Sequence, residues 1–322
     1  MSNCIIFGGS GFIGTHLAGH LLNSGRFERV YIADMQPSAI EGTTQCKSFL
    51  VDIRKPIPLE LFEERPDWIF NLAAVHREPG HMPQEYFDTN INGARHITAF
   101  AEQIGCENIF FTSSISVYGP TAKATDESSP LCPTTPYGSS KLAAELIHEI
   151  WLKQSVGRRL VTVRPGVIYG PGDPGNILRM IRAIQKGYFV FPGSPRVFKS
   201  YGYIYGLLKS IDFVLQRAEP HIIYNYVEYP SESLAGITAD IKDFLGVKTP
   251  ILAVPLPLLL PIAHLVQLVL GDKNPIHPTR VAKAATSTHI IPAVLKNMGF
   301  EFNYNFASSL KHWQNIAPFD FA

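Results

Sequence analysis

The chain has 322 residues, with 28 Lys and Arg against 27 Asp and Glu, a formal net charge of +1 and 46% hydrophobic residues. This length suits one large α/β domain with an elaborated second lobe, and the balanced charge leaves no electrostatic footprint for nucleic acid or an anionic membrane. Cys4, Cys46, Cys106 and Cys132 form no CxxC pair, which argues against a zinc site or a secreted disulfide framework and predicts no metal and a reduced, cytoplasmic setting.

An apolar strand, Cys4 to Phe7, opens the chain and runs directly into Gly8-Gly9-Ser10-Gly11-Phe12-Ile13-Gly14, so the first apolar residues read as a strand rather than an export signal. Gly8 allows a sharp turn, Gly11 lets the backbone approach a pyrophosphate, and Gly14 lets the next helix, over Thr15 to Asn23, pack on the sheet. The helix amides and dipole then face the phosphates. A second strand, Val30 to Ala33, ends at Asp34, where a carboxylate accepts both ribose hydroxyls and repels a 2′-phosphate. The combination predicts an NAD site.

Further strands are expected at Ser48 to Val51, Trp68 to Ala73, Ile109 to Ser113 and Leu160 to Val163, with helices over Tyr86 to Ile104 and Pro136 to Gln154. Asp52 closes the third strand, where it either bonds the adenine amine or is simply a solvated strand end. This alternation gives a doubly wound parallel sheet of the Rossmann type with a smaller C-terminal α/β substrate lobe. The expected division is an NAD-binding domain over residues 1–165 with a return segment near 203–228, and a substrate-binding lobe over 166–202 and 229–322. After Arg164-Pro165 the texture turns to Gly and Pro clusters of the kind that cover ligands. A strand is expected at Ile222 to Val227. The apolar stretch Ala253 to Leu270 is broken by Pro255, Pro257, Pro261, His264 and Gln267, so it reads as a buried or interface helix, with peripheral membrane contact open and no transmembrane span expected.

Tyr137 and Lys141 lie four residues apart at the start of a helix and share a face. A phenol, with a pKa of about 10, becomes a usable base when an ammonium and a cationic nicotinamide ring favour its phenolate. Ser114, in Thr112-Ser113-Ser114-Ile115-Ser116-Val117-Tyr118-Gly119 at a strand's C-terminal end, is the preferred third group, with Ser113 and Ser116 as competitors.

On GGSGFIG, NLAA (Asn71 to Ala74), the run Thr89 to Gly93, TSSISVYG, YGSSK and RPGVIYGPGD (Arg164 to Asp173), the chain resembles the extended short-chain dehydrogenase/reductase family, in its NAD-dependent sugar-nucleotide epimerase/dehydratase branch. The resemblance implies a catalytic trio of Ser114, Tyr137 and Lys141. It implies an NAD site of Gly8, Gly11, Phe12, Ile13, Gly14, Asp34, Asp52, Ile53, Leu72, Ala73, Ala74, Tyr137, Lys141 and Pro165. Substrate contacts are expected from His76, Ser114, Ser116, Asn176, Lys199 and Arg280, with Arg77 and Arg196 as further basic candidates. Ile115 and Ser116 stand where dehydratases of the branch carry an Asp-Glu pair, which argues against dehydration. Where relatives read RDxxxVxD, this chain has Lys199-Ser200-Tyr201-Gly202-Tyr203-Ile204-Tyr205-Gly206, so the arginine becomes a lysine and both acids are lost.

The expected activity is NAD-dependent epimerisation of a nucleoside-diphosphate sugar at C4, of a UDP-hexose or UDP-N-acetylhexosamine through a 4-keto intermediate, by a homodimer. The alternatives are a dehydrogenase or reductase of a keto sugar or sterol-like alcohol, and a non-catalytic dinucleotide-binding protein.

Overall fold

The computed structural model describes residues 2–40, 44–61, 64–173, 175–271 and 277–321, and their side chains except those of Leu61, Asn176 and Leu270. Seven strands build the central sheet: β1 (Asn3–Phe7), β2 (Arg29–Asp34), β3 (Cys46–Leu50), β4 (Trp68–Asn71), β5 (Asn108–Thr112), β6 (Arg159–Pro165) and β7 (His221–Tyr226). Every pairing is parallel, in the order β7-β6-β5-β4-β1-β2-β3. The order reverses between β1 and β4, and this is where an open α/β sheet presents its ligand crevice.

Alternating residues feed two cores, as the two-residue repeat of a strand requires. Cys4 and Ile6 join Leu17, Ala18 and Leu21 of α1 (Phe12–Ser24) on one face. Ile5 and Phe7 join Ile97, Phe100 and Ala101 on the other. A sheet covered on both faces needs strands apolar along their whole length, and β1 is buried at all five positions.

The expected helix over Tyr86 to Ile104 is interrupted. It comprises α2 (Pro83–Tyr86), a π-helical turn over Phe87–Ile91, and α3 (Asn92–Ile104). Within this turn Asn90 reaches back 15 positions to clamp the loop after β4, accepting from the Val75 N–H at 2.9 Å and donating to the Val75 carbonyl at 3.1 Å. The third strand also ends earlier than expected, at Leu50, leaving Asp52 in the following turn.

Beyond α4 (Pro136–Lys153) come α5 (Asn176–Gln185), α6 (Ile204–Leu215), α7 (Leu234–Leu245), α8 (Leu256–Leu270) and α9 (Pro278–Ala285). The α6 helix and β7 return to the sheet, while Thr288–Ile290 pairs with Thr121–Thr125. A buried polar chain ties these parts together. Arg164 grips Glu145 through two bonds at 3.0 and 2.7 Å and donates to the Tyr118 hydroxyl, which donates in turn to Asn225. The Glu127 carboxylate accepts from the backbone N–H groups of both Asn225 and Ala293.

Candidate active site

The glycine loop has a steric explanation. Gly8 has φ +79°, and a Cβ there would lie 2.6 Å from the backbone nitrogen of Ala73. A Cβ on Gly14 would lie 2.3 Å from the Gly8 carbonyl oxygen, so α1 reaches this close to the turn only with glycine. Gly11 differs from both. Its extended backbone caps α1 without any side-chain cap, so the first-turn amides after it, from Phe12 and Ile13 onward, are left for an external acceptor.

Asp34 stands at the end of β2 beside this loop, accepting from the amides of Ser10 at 3.0 Å and Gln36 at 3.1 Å. These bonds orient the carboxylate at the loop's rim. Leu72, Ala73 and Ala74 follow β4 beneath Gly8, and Pro165 closes β6. Ile53 is buried under α3, where Gly93 makes room for it. Asp52 is bound by the Arg54 guanidinium through two 2.8 Å bonds, which hold its carboxyl below the usual carboxylate range.

Ser114 is held at the entrance to a 3-10 turn over Ile115–Tyr118, accepting from the Ser116 N–H and donating to the Ser116 hydroxyl, both at 3.1 Å. The α4 helix starts against this turn, with Thr135 capping the Gly138 amide and Pro136 in the first helical position. A Cβ at Gly138 would lie 2.5 Å from the Ser116 carbonyl oxygen. Glycine at that position therefore allows the first turn of α4 to sit on the serine turn and brings Tyr137 to Ser114.

Burial pushes the Tyr137 hydroxyl up to about 12, opposed by a hydrogen bond with Ser114. Lys141 is only 2% exposed, with its ammonium 4.3 Å from the centre of the Phe111 ring. Burial pulls it down to about 7, partly countered by the Glu145 carboxylate. Asn90 also donates to the Ser140 hydroxyl at 2.8 Å, tying the π turn to α4 between Tyr137 and Lys141. Spacing alone gave no signal for this clamp, although Asn90 lies within the run Thr89 to Gly93.

The substrate side differs from expectation in two places. Lys199 directs its ammonium to the carbonyls of Lys283 and Thr286 at the C-terminal end of α9, a helix-capping position rather than an open anion site. Arg179, on α5, was not anticipated. Its pKa is lowered by burial and then by the positive charge of Arg280, with Arg77 contributing and Asp173 opposing. The charges of Arg280 on α9, Asp173 and Arg77 in the loop after β4 thus all reach Arg179, and the sequence signal was an arginine three residues after Asn176. The Asn176 side chain lies outside the described residues.

Asp173 is 7% exposed, with its carboxyl raised to about 6 by burial. His76 lies exposed beside Arg77 in the loop after β4, and its pKa is lowered by desolvation and by the charges of Arg77 and Lys141. Ser116 lines the turn beside Ser114, and Arg196 is exposed.

A family model described as the NAD dependent epimerase/dehydratase family matches residues 4–226. The chain belongs to that family. It is 29% identical over 313 residues to the N-acetyl-alpha-D-glucosaminyl-diphospho-ditrans,octacis-undecaprenol 4-epimerase of Escherichia coli O157:H7, covering 96% of this chain and 93% of the relative. Two solved structures share its fold. One is the UDP-glucuronic acid 4-epimerase of Bacillus cereus in complex with NAD, with TM-score 0.78, 18% identity, and coverage of 99% of this chain and 100% of the other. The second is the UDP-N-acetylglucosamine 4-epimerase of Methanobrevibacter ruminantium in complex with UDP-N-acetylmuramic acid, with TM-score 0.77, 20% identity, and coverage of 98% and 97%.

The family's cofactor is NAD, and the residues fit it. Gly8 and Gly14 let the turn and α1 close on each other and on Ala73 as no other residue could, the first-turn amides of α1 are uncapped, and an oriented carboxylate stands at the second strand's end. Further along the sheet, Ser114 is hydrogen-bonded with Tyr137, Lys141 follows one turn later on α4, and the Lys141 charge reaches His76. Among the described residues, no group of three or more His, Cys, Asp or Glu side chains could hold a metal ion.

Proposed function

We propose that the protein is an NAD-dependent C4 epimerase of a diphosphate-activated hexose or N-acetylhexosamine, working through a 4-keto intermediate. The observation that carries this reading is Tyr137 hydrogen-bonded with Ser114, with the buried Lys141 ammonium one helical turn away on α4. Bound NAD supplies the two-way hydride exchange at the sugar carbon.

In this reading Ser114 orients the C4 hydroxyl toward Tyr137, and the phenolate takes its proton. The protonated Lys141 stabilises that phenolate electrostatically, so a group raised to about 12 in the free protein becomes usable when positive charge surrounds it. Once the keto sugar has turned its other face to the bound nicotinamide, Tyr137 returns the proton to the C4 oxygen and the hydroxyl re-forms with inverted configuration. Arg179 and Arg280, with Arg77, bind the diphosphate, and His76 and Ser116 contact the sugar hydroxyls. Asn176 is proposed as a further diphosphate contact. Because Lys199 caps α9, Arg179 takes over the cationic role otherwise expected of it.

The proposed division assigns residues 1–165 and about 203–228 to cofactor binding and 166–202 with 229–322 to the substrate lobe. Asp52 and Ile53 line the adenine end. A homodimer is proposed through α3 and α4, where Leu146 and Ile150 stand one turn apart and more than half exposed. Four unpaired cysteines support a reducing, cytoplasmic setting.

Purified protein incubated with UDP-hexoses and UDP-N-acetylhexosamines is expected to yield a mixture of C4 isomers without accumulated NADH. Stoichiometric NADH would replace epimerisation by net oxidation. Light scattering on a sizing column at micromolar concentration is expected to give twice the 35.7 kDa chain mass, and a monomer would reject the α3–α4 interface.

A further inference from the structure

The apolar stretch noted in the sequence forms α8, and its contacts leave most of it uncovered. Leu258, Ile262, Leu265, Leu268 and Val269 are 55 to 84% exposed, and Ala263 is the single buried residue among the described side chains of the helix. The spacing 258, 262, 265, 269 places four of these side chains along one stripe, with Leu268 on its flank. The helix has no charged residue; its polar groups are His264, which bonds the Leu260 carbonyl one turn back, and Gln267. Exposed apolar stripes of this kind mark interaction surfaces.

Two observations say what covers the stripe. The first is its position. The α8 helix packs on α9, which carries Arg280 of the arginine cluster and Lys283, bonded to Glu78 beyond β4. One side of α9 therefore faces the diphosphate site and another carries the apolar helix. The second is chemistry: a diphosphate attached to a polyprenyl chain presents charge followed at once by hydrocarbon, the same sequence that the arginine cluster and α8 present. The similar Escherichia coli protein is named for a sugar diphosphate on undecaprenol.

We propose that α8 docks the enzyme on a lipid bilayer and that its substrate is a sugar diphosphate linked to a polyprenyl carrier in that bilayer; this rests on the epimerase reading and specifies its substrate class. The helix lies in the interface and does not cross it. Its 15 residues, rising about 22 Å, fall short of the ~20 residues that a span requires, and among the described residues no helix is long and apolar enough to cross a membrane. Docking is driven by burial of the apolar stripe, so zwitterionic vesicles suffice.

The test uses the full chain, loaded with NAD, and phosphatidylcholine vesicles containing N-acetylglucosaminyl-diphospho-polyprenol. Wild type is expected to float with the vesicles and to epimerise the lipid-linked sugar. Leu265→Asp/Leu268→Asp is expected to lose flotation and lipid-linked turnover by on the order of tenfold or more, with turnover of UDP-N-acetylglucosamine unchanged. Leu258→Asp/Ile262→Asp is a second variant on the same stripe, with the same expectation. Wild type that stays out of the vesicle layer while converting UDP-N-acetylglucosamine would overturn the membrane surface and leave the epimerase reading intact. Variants that still float, or that change only the oligomeric state, would overturn it equally. Flotation without turnover of either sugar would retain the docking surface and reject the epimerase reading with its substrate.

Discussion

Replacing Glu145 by Gln separates what holds the catalytic helix in place from what charges it. Both Glu145 and its partner Arg164 are at most 4% exposed in their side chains, and their two bonds measure 3.0 and 2.7 Å. Removing one charge of such a pair strands the other, at a cost of about 3–5 kcal/mol. At roughly 2–4 °C per kcal/mol for a somewhat smaller chain, the melting temperature should fall by roughly 5–15 °C, read by circular dichroism on the NAD-loaded protein. Glu145 also keeps the Lys141 ammonium from being pulled below about 7. Its loss lowers that value, so the amine becomes neutral at lower pH and the descending limb of the kcat–pH profile should move to lower pH. Glu145→Gln/Arg164→Met removes both buried charges and should recover most of the stability while keeping the shifted limb. A Glu145→Gln protein melting within about 2 °C of wild type would refute the reasoning, because the pair would then not be the buried brace that its geometry describes.

Tyr137→Phe should lower kcat by about 10²–10⁴-fold with NAD content and melting temperature unchanged; a smaller loss in steady-state assays would move the base to another group. Arg179→Ala removes one charged contact to the diphosphate, a loss of about 1.5–3 kcal/mol, and should raise KM at least tenfold with little change in kcat. An unchanged KM would take Arg179 out of the site. Glu228, bonded to Tyr169 and Ser309, is raised by burial from 4.5 to about 8. Between those values the folded chain binds the extra proton, so stability should fall as pH rises from about 4.5 through 8. Glu228→Gln should flatten that slope in urea titrations at both ends of the range.

The parts of this protein that could be read from its sequence are those whose causes are local. The strand–glycine turn–helix unit at Gly8 to Gly14 and the four-residue spacing of Tyr137 and Lys141 are fixed by neighbours in the chain, and the structure places them as their spacing predicts. The parts that escaped depend on residues far away. Lys199 meets the end of α9 more than 80 positions later, and Arg179 acquires its meaning only beside Arg280. No periodicity announces the π turn at Phe87–Ile91, since its cause is the bond of Asn90 to Val75 and Ser140. The apolar run at Ala253 to Leu270 was legible as a helix, but whether it is covered is a tertiary question, and α8 proves largely bare.

The polar chain running from Glu145 through Arg164, Tyr118 and Asn225 to Glu127 and Ala293 also bears on how a sugar would enter and leave. Swinging the C-terminal part outward as a rigid jaw would rupture charge-assisted bonds in a dry interior, a heavier toll than loop movement exacts. Entry and exit of a sugar are thereby left to the loops around the site rather than to a movement of the whole C-terminal part.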